Sequence, residues 1–113
     1  MRKSSIHFDI TLDKNNYPDK IKWNATDNPN GHGLSETKAL NISLWDPEQK
    51  HSMRIDLWTK DMPVEEMKKF YIDMIGGMSQ SILNATGDTF MSKEIKQLAD
   101  KLAQHLIDTA KNQ

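Results

Sequence analysis

The sequence predicts an α+β protein: a four-stranded, mostly antiparallel sheet made of two hairpins, with two C-terminal helices packed on one face. Two observations carry that expectation. In the first half, four stretches alternate apolar and polar residues with the period of two that half-buried strands require. From Val64 onward the apolar residues recur at the helical period instead. The strands are expected at about 4–12, 19–25, 38–45 and 52–59, and the helices at about 62–85 and 89–110. At 113 residues the chain reads as a single domain over 1–113, large enough to bury a core without disulfide staples.

The first strand places Ile6, Phe8, Ile10 and Leu12 on one side, and Ser5, His7, Asp9 and Thr11 on the other. Asp13-Lys14-Asn15-Asn16 has turn composition, and Ile21, Trp23 and Ala25 form the core side of the second strand. The irregular stretch Thr26 to Glu36 carries Asn-Pro, Asn-Gly and Gly-x-Gly steps. It reads as a structural connection or as a binding loop using Asp27, Asn28, Asn30 and His32. An EF-hand reading fails, because the first and last ligand positions fall on Thr26 and Thr37 rather than on carboxylates. A phosphate-loop reading fails too, since the Lys-Ser/Thr ending is missing.

The second hairpin is the most strongly specified. Pairing Leu44 with Met53 also pairs Ile42 with Ile55 and Leu40 with Leu57, and a one-residue slip would turn one strand's apolar set to water. Asp46-Pro47-Glu48-Gln49 supplies the turn. Trp45 and Trp58 both fall on the opposite face, with Asn41, Ser43, Arg54 and Asp56. Either a loop or the sheet edge covers these rings, or they form an aromatic contact surface.

The first helix begins with Asp61 as side-chain acceptor and Pro63 in the opening turn, followed by Glu65 and Glu66 at the positive end of the dipole. Val64, Met67, Tyr71, Met74, Ile75, Met78 and Ile82 make its apolar stripe, expected to face the sheet. Gly76-Gly77 interrupts it, and two mid-helix glycines cost roughly 2 kcal/mol relative to alanines. A close backbone approach or a kink is the expected offset, so replacing both by alanine is expected to lower the melting temperature. Gly87 suits a left-handed cap, and Asp88 or Ser92 starts the final helix, with Met91, Ile95, Leu98, Leu102 and Leu106 as its stripe.

Composition excludes several functions. Fifteen basic residues against sixteen acidic ones leave no nucleic-acid footprint. No apolar run reaches the ~20 residues a membrane helix needs, so no direct membrane insertion is expected. The opening MRKSSIHFDI lacks the continuous apolar core of a signal peptide. The absence of cysteine suits a reducing compartment. His7, His32, His51 and His105 have no metal-ligand spacing, and no Gly-x-Ser-x-Gly or His-Glu-x-x-His motif occurs. The expectation is a protein that is not an enzyme and uses no cofactor or metal.

The run MRIDLWTKDMPVEEMKKFYIDMIGGMSQSI, preceded by WNATDNPNG and ISLWD and by IHFDITLD near the start, resembles the gliding motility protein GldC family of Bacteroidetes. The likeness is most specific from Ile42 to Ile82. It implies a cytoplasmic accessory protein of the gliding machinery, whose other parts are envelope-bound and linked to type IX secretion. No catalytic residue or cofactor comes with the resemblance. The expected role is therefore protein–protein interaction through the outer sheet face, with Trp45, Trp58 and Arg54 as main contacts, Asp56 beside them, and Asp27, Asn28 and Asn30 from the loop. The partner is expected among the proteins of the gliding machinery, including inner-membrane-associated ones, and a homodimer through the same face or an exposed edge is compatible. The alternative is a small-molecule or lipid-binding module, with an apolar pocket between helix and sheet lined by Met67, Tyr71, Met74 and the inward strand residues.

Overall fold

Alternating residues pair as their pattern requires. In the computed structural model, which describes residues 1–28, 31 and 33–111, β1 (Ile6–Leu12) and β2 (Pro18–Ala25) form an antiparallel hairpin. It sets Phe8 opposite Trp23 and Ile10 opposite Ile21, with an irregularity between Thr11 and Leu12. Its turn is held by Asp13, whose Oδ1 accepts from the N–H groups of Asn15 at 2.8 Å and Tyr17 at 3.0 Å. Asn16 takes the left-handed conformation (φ 67°) that asparagine tolerates.

The single four-stranded sheet is not what forms. The strands make a three-stranded sheet in the order β1-β2-β3 and a separate two-stranded ribbon. The cause is β3 (Ser35–Thr37), which lies against β2 with Ile21 opposite Thr37 and Trp23 opposite Ser35. It occupies the second edge of β2, and the chain then leaves the sheet at Lys38. Among the described residues, the next strands, β4 (Ala39–Asp46) and β5 (His51–Trp58), pair only with each other. Ser35-Glu36-Thr37 contains no apolar residue, so nothing in its pattern marks a strand.

The ribbon itself keeps the expected register: Leu44 opposite Met53, Ile42 opposite Ile55, Leu40 opposite Leu57. Its turn is fixed by Asp46, whose Oδ1 accepts from Glu48 N–H at 2.9 Å and Gln49 N–H at 3.0 Å, while Lys50 adopts φ 60°. Ile21 and Leu40 are the buried apolar side chains of this part, together with Thr59.

Two compact units divide the chain, Met1–Met62 and Pro63–Gln113. The second is a helical hairpin of α1 (Val64–Thr86) and α2 (Thr89–Lys111). Gly87 closes α1 at φ 73°, its N–H bonded to the Leu83 carbonyl. Asp88 is the cap of α2, accepting from Met91 N–H at 3.0 Å, so Ser92 is not. Nor does Asp61 cap α1. Pro63 stands at that position without a side-chain bond, because Asp61 is engaged by Thr59 and Lys38.

Where the helices meet, the buried positions are small: Ser79 on α1, Ser92 and Ala99 on α2. Ser79 Oγ donates to the Ser92 carbonyl at 2.7 Å, and Ser92 Oγ donates to the Ser79 carbonyl at 2.8 Å. A hydroxyl that satisfies itself on a backbone carbonyl can be buried at little cost. The large apolar residues of both stripes flank this seam half-buried or exposed. Gly76 faces Ala99 there, but a Cβ on it would lie 4.0 Å from the Ala99 Cβ, which is ordinary contact, and one on Gly77 would meet nothing within 4 Å. Neither glycine is required by a close backbone approach.

Candidate functional site

The β4–β5 ribbon carries the residues expected to act. Trp45 is 64% exposed and Trp58 47%, on the same face, opposite Ser52 and Ala39 respectively. They stand at its two ends, roughly 20 Å apart along the strand direction at ~3.3 Å per residue. Between them Arg54 pairs with Asp56 along the strand at 2.9 Å. With its amide turned to suit both neighbours, Asn41 donates to the other Asp56 oxygen at 2.7 Å. The face is thus two exposed rings with an ion pair between them, not one continuous aromatic patch.

The opposite face of the ribbon is not buried along its whole length either. Leu44 and Met53 are each 56% exposed near the turn, whereas Leu40 is buried at the far end. Apolar side chains at the turn end therefore line both faces of the ribbon.

At the Trp58 end a cleft of about 270 Å³ opens, lined by Tyr17, Pro18, Asp56, Leu57, Trp58 and Lys60. That is at or below the small end of small-molecule sites, and it suits a single inserted side chain. Of the expected contacts, the structure brings Asp56 and Trp58 together here; Trp45 and Arg54 are not part of the lining.

Beside the cleft runs a network that leaves no mark in the sequence pattern. Thr59 has no exposed surface; its N–H donates to the Lys38 carbonyl at 2.8 Å and its hydroxyl to Asp61 Oδ1 at 2.7 Å. Lys38 Nζ reaches Asp61 at 3.2 Å and Glu36 at 3.6 Å. Lys60 N–H donates to the Pro18 carbonyl at 3.1 Å, and its Nζ reaches Asp13 at 3.0 Å and Asp19 at 3.6 Å. These bonds tie the ribbon to the β1–β2 hairpin and to β3. The Thr59 hydroxyl, then Lys38, hold the Asp61 carboxyl below its usual range. The Tyr17 N–H and Lys60 do the same for Asp13, and the Gln49 and Glu48 N–H groups for Asp46. Lys38 and Lys60 are raised in turn by Asp61 and Asp13. Alternating apolar residues mark strands, but a charged residue's partner across distant turns leaves no periodic signal.

The loop residues are placed differently. Asp27 is bound by the Arg2 guanidinium and by Ser4 Oγ at 3.2 Å, so its carboxylate fastens the N-terminal segment. Asn28 is half-buried, its N–H donating to the Ala25 carbonyl at 3.1 Å. Asn30 and His32 lie outside the described residues. Among the described residues no three His, Cys, Asp or Glu side chains cluster as metal ligands, and no helix is long and apolar enough to cross a membrane.

Fold and surface define a small α+β protein with antiparallel strands, a helical hairpin and an exposed aromatic-bearing ribbon. The family model of gliding motility-associated GldC-like proteins matches residues 18–108. The chain belongs to the GldC-like family, a motility-associated family rather than a known enzyme family. No curated protein and no solved structure matches it.

Proposed function

We propose that this chain is a non-enzymatic accessory protein of gliding motility that binds a protein partner through the Trp45/Trp58 face of the β4–β5 ribbon. One observation carries the reading: two tryptophans, 64% and 47% exposed, share that face with an exposed arginine between them. Tryptophan and arginine are the residues that anchor interfaces most often. The cleft beside Trp58 is sized for a partner's side chain. The partner belongs to the gliding apparatus, with its link to type IX secretion, and the chain works on the cytoplasmic side.

The test is capture of partners by the tagged chain from cytoplasmic and inner-membrane fractions, beside a Trp45→Ser/Trp58→Ser variant. Loss of a gliding-machinery protein from the variant, with its circular dichroism unchanged, supports the reading. Undiminished capture by a folded variant overturns it. A second reading, a lipid or small-molecule carrier, has one supporting observation in the helical unit. An apolar groove of about 320 Å³ lies between the helices, lined by Met67, Tyr71, Ile75, Leu102 and Leu106 among others. A small molecule or lipid found by mass spectrometry on the purified chain would favour it.

A further inference from the structure

We propose that a second copy of this chain pairs with the open edge of β5, joining two ribbons into one four-stranded antiparallel sheet about a two-fold axis at Ile55. Among the described residues, β5 has a partner strand on one side only. Thr59 donates to Lys38 in continuation of the β4–β5 register, so Leu57, Ile55 and Met53 aim their backbone groups at β4. The groups of Ser52, Arg54, Asp56 and Trp58 therefore point to the open edge. That edge is bounded at one end by the turn and at the other by Lys60, whose N–H is taken by the Pro18 carbonyl, and its Asp56–Trp58 part faces the cleft that Tyr17 and Pro18 line, which the incoming strand enters. His51 Nδ1, 3.4 Å from the Ser52 carbonyl oxygen, is a long contact that an incoming strand displaces.

The open stretch, Ser52 to Trp58, is centred on Ile55, and its charges are arranged to suit that symmetry. With Ile55 opposite its own copy, Arg54 falls opposite Asp56 of the second copy, and Asp56 opposite Arg54. Met53 meets Leu57 on the other face, extending the apolar surface that Met53 exposes. Opposite charges across a strand pair attract and like charges repel, so this register selects a second copy over an unrelated strand. The edge of β4 has no such symmetry: its one charge, Asp46, sits at the end.

The pairing does not depend on the aromatic-face reading, and its test reads self-association alone. Analytical ultracentrifugation of the full chain should show a dimer. Arg54→Asp and Asp56→Arg, each placing like charges opposite one another twice, should each weaken it about tenfold or more. The double variant Arg54→Asp/Asp56→Arg should restore it. Because the chain has no cysteine, Ile55→Cys gives a clean cross-linking probe. At a non-hydrogen-bonded pair the two Cα atoms lie about 4.5 Å apart, within disulfide range. Ile55→Cys should give a covalent dimer on oxidation, while Met53→Cys, about 13 Å from its own copy, should not. A monomeric wild type, single variants that dimerise unchanged, a double variant no better than the singles, or equal cross-linking at Met53 would each overturn the proposal. If a charge variant fails to fold, the cysteine pair decides.

Discussion

Thr59 has its whole surface covered, and its hydroxyl meets a carboxylate that Lys38 also needs. Thr59→Val keeps the shape and removes the donor, so it should cost about 1 kcal/mol, read as a lower urea midpoint with unchanged slope. No loss would show that water replaces the hydroxyl. The residue scale is where the sequence was least informative. A threonine after a strand looks like any turn residue, and Ser79 and Ser92 look like surface positions, because a buried hydroxyl is recognisable only once its carbonyl partner is known. The tryptophans were legible, since strict alternation decides the face of each side chain as soon as the strand is recognised. How far each ring is exposed was not, because that depends on neighbours far along the chain.

At the scale of elements, alternation predicted the register of the β4–β5 hairpin, because one slip would expose every apolar residue of a strand, and for β1 and β2 it predicted the strands without their pairing. What it could not supply was β3, too short and too polar to show a period, and with it the division into two sheets. The start of α1 shows a similar limit. Asp61 has the chemistry of a cap, but a lysine and a threonine of the first unit compete for it. The seam between the helices reverses the expectation for the glycine pair. Since a Cβ at Gly77 meets nothing within 4 Å, Gly77→Ala should stabilise by about 1 kcal/mol through helix propensity. Ser79→Leu, by contrast, forces a large side chain into a seam of small ones and should cost roughly 1–3 kcal/mol. Thermal melts of the two variants, moving in opposite directions, would establish that small residues set the α1–α2 spacing. A destabilised Gly77→Ala would point instead to a packing role for the glycine.

For the molecule as a whole, the shifted ionisable groups give stability a predictable pH dependence. Asp13, Asp46 and Asp61 are held below their ordinary values by N–H and hydroxyl donors and by the lysines. A carboxylate depressed in the folded state contributes stability that is complete above its unfolded value, near pH 4, and is lost as pH falls through the folded value. Lys38 and Lys60 are raised, so their contribution is complete below about pH 10 and is lost above it. The contribution of these five groups should therefore form a plateau between about pH 4 and pH 10 and fall at both extremes. Exposed pairs of this kind are screened by salt, so added salt should lower the plateau slightly. All five groups lie in Met1–Met62, and so do the three tryptophans, Trp23, Trp45 and Trp58. On acid titration the tryptophan fluorescence should therefore change at a higher pH than the helical far-ultraviolet signal. Asp13→Asn removes one of the depressed groups, so it should lower stability at neutral pH and make the acid slope shallower. If that variant kept the wild-type difference in stability between neutral and acid pH, the bonds from Tyr17 and Lys60 to Asp13 would not be contributing to the fold.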